Sequence, residues 1–179
     1  MVAMGLVAGG CSGTHSEVKA VRVTEEPVTP FVSTHCRTSE PAPPEPSYLT
    51  IGRLSVPAWS DPAAYGATPP QPDADGVTFY KGGVTVRADH PKVTITIGAE
   101  ARSFARIVIE DFQDPLGALS VTYAGTPRIA AEKGWDCWYV GGFNLLNRRT
   151  TACVPLDITI AGDPVVHHVK VPIGITCPE

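Results

Sequence analysis

Residues Gly134 to Cys177 read GWDCWYVGGFNLLNRRTTACVPLDITIAGDPVVHHVKVPIGITC, and this stretch decides the fold. Within it Val154, Leu156, Ile158 and Ile160 alternate with Pro155, Asp157 and Thr159, the period of two of a strand with one buried face. Ala161-Gly162-Asp163-Pro164 then breaks the run with turn residues. A second alternating run sets Val165, His167, Val169, Val171 and Ile173 on one face, and Val166, His168, Lys170 and Pro172 on the other. Pro172 has no N–H to give a neighbouring strand, which predicts a sheet edge or a strand end there. The pattern predicts a β-hairpin.

Working outward, the 179 residues are enough for one domain plus a tail. Hydrophobic residues make up 43%, too many for a disordered chain, yet 17 glycines and 18 prolines chop the apolar segments short. Short strands joined by turns fit this better than helices. The net charge of -4 comes with no basic stripe, which argues against a nucleic-acid partner.

Further strands are predicted from Tyr48 to Val56, from Val77 to Tyr80, and from Val84 to Arg87 after Lys81-Gly82-Gly83. Val93 to Ile97, Phe104 to Phe112 and Ala118 to Tyr123 follow, with a short helical turn near Gly98–Arg102 and an ambiguous, helix-compatible segment at Ile129–Lys133. Eight or nine short strands predict an all-β, two-sheet antiparallel sandwich, immunoglobulin-like in broad plan, with a barrel as the alternative.

At the N-terminus, Ala8-Gly9-Gly10-Cys11 resembles the end of a bacterial lipoprotein signal, in which the cysteine after the cleavage point carries the lipid. Ala8 stands where such signals usually have leucine, and the preceding stretch is short and lacks basic residues. Residues 1–10 are thus expected to be a truncated signal remnant, 11–33 a flexible tether, and 34–178 the folded domain. The partner implied is a membrane, reached through a lipid on Cys11.

Setting Cys11 aside leaves Cys36, Cys137, Cys153 and Cys177, an even number suited to two disulfides with three pairings. The expected pairs are Cys137–Cys153, closing a local loop, and Cys36–Cys177, tying the start of the domain to its end. No CxxC spacing favours zinc. Disulfides imply an extracytoplasmic location, either lipid-anchored or secreted.

Cys137, Gly141-Gly142-Phe143, Cys153-Val154-Pro155-Leu156 and the closing Gly174 to Cys177 form a pattern, with Cys36 ahead of Leu49-Thr50-Ile51-Gly52 upstream. The pattern resembles a group of uncharacterised exported proteins of actinobacteria. Trp138 departs from it, since a proline is expected after that cysteine. The resemblance implies export and β-structure, and carries no activity, cofactor or catalytic residue.

Chemistry is sparse. His167 and His168 are neighbours on a strand and face opposite ways, so they cannot share a metal. Asp73-Ala74-Asp75-Gly76 has the look of part of a calcium loop but lacks its other ligands. Ser103 or Ser120 with His90 is the only hydrolase arithmetic on offer, and neither serine lies in a GxSxG turn. No catalytic, cofactor-binding or metal residue is predicted. Trp135, Trp138 and Tyr139, and Trp59 and Tyr65 in the proline-rich loop 57–76, are the candidate recognition surface for an envelope protein or glycan; the competing reading buries them in the core. The functional expectation is a cell-envelope binding or structural protein, with a hydrolase acting on an envelope polymer as the alternative.

Overall fold

The structure is a computed structural model and describes residues 27–40, 48–52, 54–57, 70–88, 91–125 and 127–178. Cys11, Trp59, Tyr65 and His90 lie outside these residues. Eleven strands are formed among the described residues: β1 (Phe31–Ser33), β2 (Arg37–Ser39), β3 (Tyr48–Ile51), β4 (Leu54–Pro57), β5 (Thr78–Val86), β6 (Val93–Ile97), β7 (Ala105–Ile109), β8 (Ser120–Tyr123), β9 (Asp136–Leu145), β10 (Ala152–Ile160) and β11 (Val166–Ile173). A 3-10 turn at Ala99–Ala101 and one short helix, α1 (Arg128–Glu132), complete the set.

The strands make two sheets. Sheet A runs β1-β8-β6-β10-β11, and sheet B runs β2-β9-β5-β4-β3, with β7 also on β9. The predicted sandwich is therefore present. Hairpin β10–β11 pairs Leu156 with Val169 and Ile158 with His167, and β11 is the edge strand that Pro172 requires. Val154, Leu156, Ile158, Val171 and Ile173 are fully buried, meeting Tyr80, Tyr139, Phe143 and Leu145 of sheet B in a single apolar core. Each such side chain adds roughly 1.5–3 kcal/mol of hydrophobic stabilisation.

Three expectations change. Tyr48 to Val56 is not one strand: the chain reverses at Gly52, whose φ of 56° suits glycine, and β3 pairs back on β4. Lys81-Gly82-Gly83 does not separate two strands, because β5 passes straight through it and pairs with β9 along nine residues. The domain also starts before residue 34, since β1 pairs in parallel with β8 through Phe31–Val121 and Ser33–Tyr123. The chain then leaves sheet A and joins sheet B as β2.

The expected disulfide pairing is wrong in both halves. The bridges are Cys36–Cys137 and Cys153–Cys177, with Cα separations of 5.3 and 5.5 Å. Strand parity gives the reason. Cys137 is fully buried on β9 of sheet B, whereas Cys153 precedes the buried Val154 on β10 and so faces outward from sheet A. Two cysteines on different sheets, one turned in and one turned out, cannot meet the geometry a disulfide demands. Cys36 lies just before β2, the neighbour of β9, and Cys177 lies in the tail after β11, the neighbour of β10. These two disulfides are the mark of an oxidising, extracytoplasmic setting.

One end of the core holds a tyrosine pair. The rings of Tyr123 and Tyr139 meet edge to face, 4.8 Å between centroids, and the Tyr139 hydroxyl donates to Gly125 O at 3.1 Å. Burial raises the pKa of both, most for Tyr123, and the Asp111 carboxylate adds to it. Below pH 10 both folded and unfolded tyrosines are neutral. Above it the unfolded ones ionise first, so stability falls as pH rises. Thermal melting from pH 8 to 11 should show this loss, and Tyr123→Phe should flatten the alkaline limb. An unchanged slope in the variant would rule out Tyr123 as its source.

Candidate binding faces

The outer face of sheet B carries the exposed aromatics. On β9, Cys137, Tyr139 and Phe143 turn inward, so Trp138, Val140 and Gly142 turn outward; on β5 the inward set Tyr80, Val84 and Val86 leaves Phe79, Lys81, Gly83 and Thr85 outward. Facing rows across these strands are Thr85 with Trp138, Gly83 with Val140, Lys81 with Gly142, and Phe79 with Asn144. Trp138 is 39% exposed and Phe79 43%. Tyr139, expected in the same surface cluster, is 1% exposed and belongs to the core. Adjacent residues of a strand point to opposite faces, so Trp138 and Tyr139 never could share one. Trp135 precedes β9, is half-buried, and is covered by Lys133, whose Nζ lies 4.2 Å from the ring centroid. The predicted cluster therefore reduces to Trp138.

What sequence reasoning missed is how that tryptophan is held. A Cβ placed on Gly83 would lie 1.7 Å from the Trp138 Nε1, so the pyrrole edge of the indole rests where a side chain would stand. Phe79 leans the other way, its Cε2 3.0 Å from the corresponding point on Gly142. The two rings thus approach each other over a floor with no side chains at Gly83 and Gly142, diagonal neighbours about 7–8 Å apart. Beside Trp138 in register stands Arg37 of β2, whose guanidinium pairs with Glu110 at 2.5 Å. Both members of this ion pair are substantially exposed and contribute little to stability. Asn144 closes the far side by donating to Pro115 O and Leu116 O, both at 3.0 Å.

The outer face of sheet A is polar across its inner strands, with Val32 and Val166 exposed on the two edge strands. Thr94 and Thr122 hydrogen-bond at 2.7 Å, as do Thr96 and Ser120, and His168 Nδ1 lies 2.6 Å from Asp157 Oδ1. In register these form one row across four strands, Ser120, Thr96, Asp157, His168. The carboxylate stands between the serine and the histidine, and three strand spacings, about 14 Å, separate Ser120 from His168. A nucleophile must lie within hydrogen-bond reach of its base, so this row is no triad. A groove of about 650 Å³ runs beside it, lined by Glu100, Asp157, His168, Lys170 and the bridged Cys177, with no serine, threonine or free thiol among the described residues.

The remaining candidates resolve locally. Asp73 Oδ1 accepts from the N–H groups of Asp75 and Val77 at 3.0 and 2.9 Å, which makes the segment an Asx-type turn. His167 is half-buried and pairs with Asp163 at 3.1 Å; the N–H of Val165 and then His167 hold the Asp163 carboxyl below its ordinary pKa. Among the described residues, no group of three or more His, Cys, Asp and Glu is gathered as a metal site would need, and no helix is long and apolar enough to cross a membrane. No protein-family model, no curated protein and no solved structure matches the chain.

Proposed function

We propose that this is an exported cell-envelope protein, lipid-anchored through Cys11, whose sandwich binds a partner and performs no chemistry of its own. The observation that carries the binding reading is Trp138, exposed to solvent yet seated on Gly83. An aromatic ring fixed before contact gives up little side-chain entropy when it binds, which is the property of an interface anchor. The groove of sheet A supports a serine- or cysteine-type hydrolase less well, because among the described residues its lining offers an Asp–His pair and no serine, threonine or free thiol.

Capture from an envelope extract by the full chain tests the reading, with Trp138→Ala and Trp59→Ala alongside. Capture is expected to fall for Trp138→Ala. Equal capture by all three proteins would remove Trp138 as the contact. The anchor has its own test: cells given an alkyne palmitate analogue should label the parent chain and leave Cys11→Ala unlabelled. Equal labelling of the two would eliminate lipid attachment at Cys11.

A further inference from the structure

We propose that the ligand of the sheet B face is a glycan strand built of pyranose rings, taken up between Trp138 and Phe79. The inference rests on the binding reading above and adds the chemical class of the ligand.

The glycine at position 83 is the starting point. Its backbone lies outside the left-handed region and an ordinary residue could adopt it, so the turn chemistry that usually requires glycine is absent. What forbids a side chain there is the indole, 1.7 Å from where the Cβ would be. Glycine in a strand interior weakens the strand, so Gly83 gives up stability to seat an aromatic ring that nonetheless stays 39% exposed. Covering Trp138 would have served packing better. Seating it while leaving it open serves contact.

The shape of the patch selects the ligand. Phe79 and Trp138 are two rings over bare backbone, with Val140 between them on β9, Lys81 between them on β5, and Arg37 and Glu110 at the edge. A protein anchor site favours a contiguous apolar centre sealed from water by a surrounding rim. Here charged groups stand against the rings themselves: Lys81 lies between Phe79 and the Gly83 seat along β5, and Arg37 lies in register beside Trp138. A pyranose ring offers the complement: an apolar face of C–H groups for an aromatic ring, and hydroxyls at its edge for guanidinium, carboxylate and ammonium groups. Two rings spaced along one sheet face suit a repeating chain more than a single sugar, since both contacts are then made by one molecule and the second is intramolecular.

The test is a titration of the full-length chain with an N-acetylglucosamine hexamer, followed by co-sedimentation with purified peptidoglycan sacculi. Saturable binding is expected, weakened roughly ten-fold by Trp138→Ala and several-fold by Phe79→Ala. Trp138→Phe should retain part of the affinity. Gly83→Val leaves every aromatic in place but displaces the indole, and should weaken binding about as much as Trp138→Ala. Near-UV circular dichroism and melting of each variant separate loss of contact from loss of fold. No saturable binding to hexamer or sacculi, or binding untouched by Trp138→Ala and Gly83→Val in folded protein, overturns the glycan. If the glycan fails while a purified envelope protein binds in a Trp138-dependent way, the binding face stands and only the ligand class is wrong. If Trp138→Ala affects neither, both readings fall.

Discussion

Replacing Cys36 with serine is expected to cost most of the domain's stability. The Cys36–Cys137 bridge spans 101 residues of sequence, and closing a loop of that length removes about 4.7 kcal/mol of unfolded-state entropy in the chain-constraint picture. Single domains have only about 5–15 kcal/mol in all. The Cys153–Cys177 loop of 24 residues is worth about 3.4 kcal/mol on the same scale, and it secures a tail after the last strand. Loss of the first bridge also frees β2, which holds only three rungs to β9, and leaves a polar hydroxyl partner beside the fully buried Cys137 position. Urea unfolding of Cys36→Ser and Cys153→Ser, each paired with serine at its partner, should rank the first as much the less stable. Equal midpoints, or a larger loss for Cys153→Ser, would refute the assignment of weight to the long loop.

The second large effect is expected at Gly142. Its φ is 154°, and a Cβ built there would lie 1.9 Å from the carbonyl oxygen of Tyr80 on the paired strand. Backbone cannot swing aside as the tip of a side chain can. Gly142→Ala must therefore part β5 from β9, the most extensive strand pairing in the fold, and disturb Tyr80, whose hydroxyl donates to Thr150 O at 2.5 Å. A loss of about 3–5 kcal/mol is expected, the range of severe overpacking joined to backbone strain. Gly134→Ala is the control: its φ is also positive, at 68°, but nothing lies within 4 Å of the added carbon, so only the local strain of about 1 kcal/mol remains. Similar losses for the two variants would show that the Tyr80 carbonyl is not the cause.

Much of this fold was written in alternation, and the same alternation explains most of the misreadings. The β10–β11 hairpin could be read to the residue because Val154, Leu156 and Ile158 mark one face without interruption. That reading already turned Cys153 outward, and the inward parity Cys137 shares with Tyr139 excluded a bridge between them. Treating Trp135, Trp138 and Tyr139 as one cluster ignored the same rule. Gly82-Gly83 misled for a different reason. Paired glycines usually mark a turn, and here Gly83 is spared a side chain because a ring from the next strand occupies the space. A break at that point severs the parity of Val84 and Val86 from that of Phe79, so the outward position of Phe79 could not be seen. The ion pair Arg37–Glu110 joins residues 73 apart and left no local pattern to find. The candidate binding face was legible at one residue, Trp138, and its seat was not.

The route of the chain from β1 in sheet A to β2 in sheet B has a mechanical meaning. A pull applied through the N-terminal chain meets first the three parallel rungs of β1, which can peel from β8 one at a time. At Cys36 the load passes through a covalent bond into β9, which pairs with β2, β5 and β7. The slack released from Phe31 to Cys36 is then at most about 20 Å of extended chain. Beyond that travel the sandwich bears tension as one block, with its aromatic face intact.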